Sequence, residues 1–153
     1  MKKSTFVVFI ATFVLFTLSG FLFPIDRDWY NSLDKPPLTQ GGSVIGIVWF
    51  ILYLLIAASV SLIYERYEFS RGNSLIISVF TMNYLFNQAF SYLQFNLHSL
   101  GGAALDTILV AVTSFALMLL AKEFSKTASW LLVPYVLWSV FASYLAVGLY
   151  VLN

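Results

Sequence analysis

A run of 50 residues with one formally charged side chain extends from Gly72 to Ala121: GNSLIISVFTMNYLFNQAFSYLQFNLHSLGGAALDTILVAVTSFALMLLA. That charge is Asp106. A bilayer core about 30 Å thick needs about 20 apolar residues for each helical crossing, so the run is too long for one helix and fits two. The residues NLHSLGG, 96–102, fit the connection between them. The run therefore predicts a pair of transmembrane helices.

Three more uncharged stretches, residues 4–25, 36–64 and 127–153, are each long enough for one crossing. Over its 153 residues the chain is 60% hydrophobic and 10% charged, whereas a soluble domain carries about 25% charged residues. The sequence therefore predicts an all-α integral membrane bundle of five transmembrane helices, with a long loop between the first two and a single domain over residues 1–153. The helices are expected at residues 4–24, 43–65, 73–95, 102–121 and 125–151.

The charge balance and the rare residue types exclude several functions. The net charge is +1, which offers no basic surface for nucleic acid. The chain has no cysteine, which removes thiolate chemistry and disulfides, and its single histidine, His98, leaves little room for a metal site. No nucleophile paired with a base is visible, so a conventional catalytic site is not predicted. The lipid bilayer is the first expected partner.

Lys2 and Lys3 precede the first apolar run, which raises the alternative of a signal peptide. The run is longer than the usual apolar core of about 7 to 15 residues and no A-x-A pattern follows it, so we expect it to remain as the first helix. The distribution of basic residues then places the N-terminus in the cytoplasm and the C-terminus outside the cell membrane. In this orientation six basic residues lie on the cytoplasmic side: Lys2, Lys3, Arg66, Arg71, Lys122 and Lys126. Two basic residues, Arg27 and Lys35, lie on the outer side.

Residues 25–42 form the one long connection and contain the segment WYNSLDKPP at 29–37. Long connections without secondary structure are uncommon unless they serve a function. Pro36 and Pro37 each fix one φ angle, which stiffens the segment. Because the predicted orientation puts this loop outside, we expect it to act as a lid over a pocket on that side.

Polar side chains within the predicted helices indicate such a pocket, because a polar group in hydrocarbon is costly unless it faces the bundle interior. One helix face collects four residues at spacings of four, three and four: Asn83, Asn87, Phe90 and Gln94. Asp106 lies about one turn into the fourth helix. We expect it to cap that helix or to contact the lid, with a proton relay as the alternative.

Aromatic side chains complete the predicted pocket. Trp49 and Tyr53 lie one turn apart on the second helix. Trp138 lies in the middle of the fifth helix, with Ala142 and Leu145 on its face. Small residues beside the indole leave open volume for a ligand.

Each feature also has an explanation without a ligand. Trp29 and Tyr30 are typical of the aromatic belt at a membrane interface, and the asparagines suit hydrogen bonds that stabilise helix packing. His98, in an outer loop, is expected to be an interfacial residue, with axial ligation of a haem as the alternative. The small residues along the fifth helix fit either a dimer face or the pocket.

Four motifs are similar, in order and spacing, to those of a known family. They are W-Y-x-x-L-x-K-P at 29–36, G-x-V-W at 46–49, the asparagine-led segment 83–90, and L-L-V-P-Y-x-L-W-x-x-F-A at 131–142. Together they resemble the translocator protein family, the TspO or peripheral benzodiazepine receptor group of tryptophan-rich sensory proteins, over essentially the whole chain. The segment NYLFNQAFSYLQF, 83–95, favours a bacterial member.

The resemblance implies a five-helix bundle, commonly a homodimer, whose pocket binds tetrapyrroles such as protoporphyrin IX and haem and synthetic isoquinoline carboxamide or benzodiazepine ligands. It also implies a role in porphyrin transport, sensing or light-dependent degradation. Porphyrin or haem would be a ligand, and no cofactor would be obligatory. The family's ligand-binding positions fall here on Tyr30, Trp49, Tyr53, Asn83, Asn87, Phe90, Trp138, Ala142 and Leu145.

The sequence departs from the family pattern in the lid and on the fifth helix. Where the family usually reads K-P-x-W-x-P-P, residues 35–41 read KPPLTQG and lack the tryptophan and the later proline pair. This difference predicts a looser lid. Ala146 stands where many members have asparagine, which removes one polar contact.

Three functions are compatible with these observations. The first is a binding protein for flat aromatic macrocycles, held by stacking and by amide hydrogen bonds. The second is enzymatic photo-oxidation of a bound porphyrin, with Trp49 and Trp138 as the candidate catalytic residues. The third is a small transporter or channel for a different hydrophobic metabolite, for which Asp106 is the candidate coupling charge.

Overall fold

The computed structural model describes residues 2–68 and 74–153, and every regular element within these ranges is helical. The helices are α1 Lys3–Leu22, α2 Arg27–Ser32, α3 Gly42–Tyr67, α4 Ser74–Ser91, α5 Leu100–Phe124 and α6 Lys126–Leu152. A π-helical turn, Tyr92–Asn96, extends α4. The all-α prediction is confirmed.

Within the described residues, four helices are long and apolar enough to cross a membrane: α1, α3, α5 and α6, with 20, 26, 25 and 27 residues. Their outer faces expose large hydrophobic side chains, among them Phe21, Trp130 and Leu137. Apolar surface of this extent is typical of contact with lipid, so the chain is a membrane protein with several apolar helices. α4 has 18 residues and is not one of the four, because amide side chains interrupt its apolar run.

The α5 boundary differs from the prediction because a side chain caps it. α5 begins at Leu100, where the Ser99 hydroxyl accepts a hydrogen bond from the Gly102 amide. Asp106 therefore lies farther inside the helix, and the prediction that it caps the helix is wrong. Its Oδ2 is buried without a hydrogen-bond partner among the described residues. The predicted start of the third helix, residue 73, lies outside the described residues.

The long connection after α1 contains a short helix of its own. α2 forms because Asp26 Oδ1 accepts a hydrogen bond from the Trp29 amide at 3.1 Å, which satisfies one of the free N–H groups of the first turn. Farther on, the Thr39 hydroxyl donates to the Pro36 carbonyl at 2.7 Å and closes a turn. We call residues 25–41 the lid.

α5 and α6 form an antiparallel hairpin with one residue, Ser125, between them. Ala121 and Ala128 are fully buried and let the two backbones approach closely. Farther from the turn, the hydroxyl oxygens of Ser114 and Ser139 lie 2.9 Å apart. These contacts make the hairpin one wall of the bundle.

Hydrogen bonds between side chains join four helices at the centre. The Tyr135 hydroxyl donates to Asn83 Oδ1 at 2.9 Å, and Asn83 Nδ2 donates to Thr113 Oγ1 at 2.8 Å. The Tyr53 hydroxyl donates to Asn87 Oδ1 at 3.1 Å, and Asn87 Nδ2 lies 3.4 Å from the Tyr135 oxygen. We call these five residues the polar core. It connects α3, α4, α5 and α6.

The first helix is held by Gln88 and Phe16. Gln88 Oε1 accepts a hydrogen bond from the Ser19 amide at 2.9 Å, and its Nε2 donates to the Phe16 carbonyl at 3.3 Å. The Phe16 ring is 1% exposed and lies within 5.5 Å of the rings of Tyr53 and Tyr84, measured between centroids. α1 is therefore attached to both α3 and α4.

If the polar core stabilises the bundle, substitutions of its hydrogen-bonded residues should lower the free energy of unfolding. Asn83→Leu removes the acceptor of the Tyr135 hydroxyl inside the bundle, so we expect the free energy of unfolding to fall by about 1–3 kcal/mol. Tyr135→Phe should also destabilise, because it leaves Asn83 Oδ1 unpaired. The double variant should lose less than the two single losses combined, since it removes both partners. Reversible unfolding in mixed micelles measures all three, and strict additivity would contradict a coupled pair.

Candidate ligand-binding cavity

A cavity of about 610 Å³ lies inside the bundle next to the lid. Its volume is within the range of about 300–1,000 Å³ that is usual for small-molecule sites. All five long helices contribute: Phe16 from α1, Trp49 from α3, Asn87 from α4, Thr107 from α5 and Trp138 from α6. The lid contributes Arg27, Tyr30 and Asn31. The site is thus assembled from all five long helices and the lid.

Eight of the nine predicted ligand-binding residues line this cavity: Tyr30, Trp49, Tyr53, Asn87, Phe90, Trp138, Ala142 and Leu145. The fold therefore brings these eight residues to one space. Their binding of a ligand stays a prediction. Asn83 is different. Its side chain is fully buried, and both of its amide atoms are hydrogen-bonded within the polar core. It supports the wall of the cavity without lining it.

The aromatic rings in the wall are placed by their neighbours. The Trp49 ring lies 5.6 Å from Tyr53 and 6.2 Å from Tyr135 between centroids. The Trp138 ring lies 5.4 Å from Phe141, and its Nε1 is buried without a hydrogen-bond partner among the described residues. Because the Tyr53 hydroxyl is held by Asn87 within the polar core, the Trp49 ring packs against a neighbour that is itself fixed.

Several lining residues were not among the predicted binding positions. Phe16 and Ser19 come from α1, whose buried side also carries Thr5 and Thr12. Spacings of seven, four and three put these residues on one side of the helix, so the hydroxyl residues were a signal that could have identified the inward side. Gln94 also carries a signal, since it shares the predicted polar face with Asn87 and Phe90, and it lines the cavity. Thr107, next to Asp106 on α5, also lines the cavity and was not predicted to do so.

One edge of the lid is attached to the connection between α4 and α5. The ring of His98 stacks on Trp29 with 4.0 Å between centroids and 17° between planes. Its Nε2 lies 3.1 Å from Asp26 Oδ2. His98 is thus occupied by the lid and does not line the cavity, so the geometry gives no support to the alternative of an axial haem ligand.

The other edge of the lid is attached to α6. The side-chain amide of Asn153 pairs with the backbone of Asp34: its Oδ1 accepts from the Asp34 amide at 3.0 Å, and its Nδ2 donates to the Asp34 carbonyl at 2.9 Å. The Tyr144 hydroxyl donates to the Pro37 carbonyl at 3.1 Å. The lid therefore has defined contacts on both edges.

Tyr30 faces the cavity from the lid. Lys35 Nζ lies 5.0 Å above the centre of its ring and is fixed there by a hydrogen bond to the Leu33 carbonyl at 3.1 Å. Burial raises the pKa of the Tyr30 phenol, so the hydroxyl stays neutral over the physiological pH range. The lid thus presents a neutral aromatic ring to the interior, while Arg27 supplies a positive charge at the rim.

A second cavity of about 240 Å³ lies toward the other end of the bundle. Its wall is almost entirely hydrocarbon, with Ile56, Val60, Ile63 and Leu132 as typical members. Two polar residues also border it, and both have partners. The Ser59 hydroxyl donates to the Ala128 carbonyl at 2.9 Å, and the Glu68 carboxylate lies 3.9 Å from Lys2 Nζ. A site that selects its ligand needs a few free polar groups, so the larger cavity is the better candidate.

Apolar helices around an aromatic cavity with a lid at one end define a small polytopic membrane protein with an internal site. The TspO/MBR family profile matches residues 6–152, and the chain belongs to that family. The motif-based prediction is confirmed.

Three relatives are similar to this chain. The chain is 47% identical over 153 residues to the tryptophan-rich protein TspO of Bacillus cereus, covering 100% of this chain and 99% of the relative. It is 46% identical over 148 residues to the uncharacterized membrane protein YtaB of Bacillus subtilis, covering 95% of each. It is 28% identical over 118 residues to the translocator protein of Ovis aries, covering 76% and 70%.

The contact between the lid and α6 gives a testable prediction. A Cβ atom added at Gly148 would lie 2.6 Å from Pro36 Cβ, and a proline ring cannot rotate away. Gly148→Ala should therefore displace the lid and speed tryptic cleavage after Arg27 by several fold in detergent. Gly41→Ala is the matched control, because nothing lies within 4 Å of the added atom. Equal cleavage rates in the two variants would show that Gly148 does not hold the lid.

Proposed function

We propose that this protein binds flat aromatic macrocycles, tetrapyrroles such as protoporphyrin IX and haem, in the cavity beneath the lid. The observation that carries the proposal is the convergence of Trp49, Tyr53, Phe90 and Trp138, from three helices, on one space of about 610 Å³. Synthetic isoquinoline carboxamide or benzodiazepine-type ligands, also flat and largely apolar, would occupy the same space.

Stacking and burial would supply most of the affinity. Each offset-stacked aromatic pair contributes about 0.5–1.5 kcal/mol beyond burial, and apolar area removed from water contributes about 25 cal/mol per Å². Asn87 would orient the ligand, and Arg27 at the rim would meet an acidic side chain of a porphyrin. This division matches the usual character of small-molecule sites, which are mostly apolar with a few polar groups.

The proposed role is in porphyrin transport, sensing or light-dependent degradation. For degradation, the indoles of Trp49 and Trp138 would exchange an electron with the excited pigment, and oxygen would be the oxidant. A homodimer is part of the proposal, as the family resemblance implies. The conclusion is a binding protein first, with photochemistry as an additional property of the bound pigment.

We further propose five membrane crossings, with α4 as the fifth. Lys2 and Glu68 approach to 3.9 Å and mark one end of the bundle, whereas Asp26 and His98 mark the other. α4 begins six residues after Glu68 and leads to His98. Its 18 residues span about 27 Å at 1.5 Å per residue, close to the bilayer core. The N-terminus would lie in the cytoplasm and the C-terminus outside.

Single cysteines test this topology directly, since the natural chain has none. Leu38 is 71% exposed in the lid, and Leu38→Cys should react with an impermeant maleimide in intact cells. Lys126→Cys, at the start of α6, should react only after permeabilisation. If α4 did not cross, Lys126→Cys would lie on the same side as the lid and both variants would react in intact cells.

Trp138→Ala tests the binding proposal. Loss of one stacked and buried indole should weaken protoporphyrin IX binding by about 10- to 100-fold in a fluorescence titration, about 1.4–2.8 kcal/mol. Trp130→Ala is the matched control on the same helix, because Trp130 is 72% exposed on the outer face. Its affinity should stay within about twofold of the natural protein. Unchanged binding by Trp138→Ala would remove α6 from the site.

A further inference from the structure

The side chain of Gln94 is buried in the cavity wall with an unused hydrogen-bond donor. It is 1% exposed, it lines the cavity, and its Nε2 has no hydrogen-bond partner among the described residues. Gln88, less than two turns earlier, has both amide atoms paired with the backbone of α1. Buried amide groups are paired in the great majority of cases, so the exception at Gln94 requires an explanation.

The local backbone is also unusual at this position. Gln94 lies in the π-helical turn, where the Leu97 amide donates to the Tyr92 carbonyl at 3.0 Å and the Ser99 amide donates to the Leu93 carbonyl at 2.9 Å. π-helical turns inside α-helices are rare and occur frequently at functional sites. This turn holds the amide near the lid, since the ring of the next residue, Phe95, lies 6.1 Å from Tyr30.

The unpaired groups of the cavity wall share one chemistry. Trp138 Nε1 is a second buried donor without a partner among the described residues, and indole can only donate. Arg27 lies at the rim of the same cavity and also has donors alone. An occupant that pairs with these donors must bring acceptors.

We infer that Gln94 is the specificity-determining residue of the cavity, and that its Nε2 donates a hydrogen bond to a carboxylate or carbonyl oxygen of the ligand. The inference rests on the proposed function and adds the group by which the site selects among flat aromatic molecules. A porphyrin with acidic side chains carries such oxygens, whereas an alkyl porphyrin does not.

A ligand-binding role for Gln94 predicts that its replacement stabilises the ligand-free protein, whereas a structural role predicts that its replacement destabilises it. In the free protein the Gln94 donor is desolvated without compensation, so replacing it with an apolar side chain of similar length removes a cost of folding. Gln94→Met should therefore raise the melting temperature of the ligand-free protein while it weakens binding. Gln88→Met should lower the melting temperature, because it breaks paired hydrogen bonds to α1.

The test compares two porphyrins on the full-length protein in detergent. Protoporphyrin IX carries carboxylates, and etioporphyrin carries alkyl groups in their place. Gln94→Met should bind protoporphyrin IX about tenfold more weakly than the natural protein, the value of one hydrogen bond of about 1.4 kcal/mol. It should bind etioporphyrin within about twofold of the natural protein. The melting temperatures of the free variants are recorded alongside.

Three other results would contradict the inference about Gln94, and one of them would also contradict the proposed function. If Gln94→Met binds both porphyrins as the natural protein does, or loses both equally, Gln94 does not select for the oxygen, and the proposed function stands. If the melting temperature of free Gln94→Met falls, or the variant fails to fold, the amide is structural. If the natural protein binds neither porphyrin, the proposed function is wrong and the inference is overturned with it.

Discussion

The hydrogen bond from Tyr135 to Asn83, at 2.9 Å, is the contact on which the rest of the structure depends. Hydrocarbon offers no partner to an amide or a phenol, so these groups must find each other between helices. Asn83 extends the connection to Thr113 on α5, and Asn87 extends it to Tyr53 on α3. Four helices are thereby fixed in one register. Apolar packing alone specifies position weakly in a membrane, because lipid competes for the same contacts.

The cavity follows from that register. Both amide atoms of Asn83 are hydrogen-bonded within the polar core. Asn87 lines the cavity together with Trp49 from α3 and Trp138 from α6. The lid adds Tyr30 and is attached at both edges, so the space is already shaped before any ligand arrives. A preformed site spends little binding free energy on ordering side chains. The second cavity lacks such polar fixation, and its hydrocarbon wall gives no basis for selecting one molecule over another.

Sequence patterns predicted an all-α membrane protein with several apolar helices, because uncharged stretches can be compared directly with the thickness of the bilayer core. They also predicted the inward face of α4, since spacing alone puts Asn87 and Gln94 on one side. They could not predict which amide would stay unpaired, because that depends on partners from other helices. Phe16 was not predicted, although Thr12 and Ser19 share its buried side of α1 and could have indicated which side faces inward. The lid escaped prediction in detail, because its two attachments, at His98 and Asn153, join residues distant in the sequence.

The central claim is that a macrocycle occupies the interior of the bundle and stacks on its indoles. The chain has four tryptophans, which makes fluorine NMR of protein labelled with 5-fluorotryptophan the most direct measurement. On titration with protoporphyrin IX, the account predicts large ring-current shifts for Trp49 and Trp138 that saturate together at one porphyrin per chain, and an unmoved signal for Trp130. A shifted Trp130 signal with Trp49 and Trp138 unmoved would place the pigment on the lipid-facing surface and contradict the account.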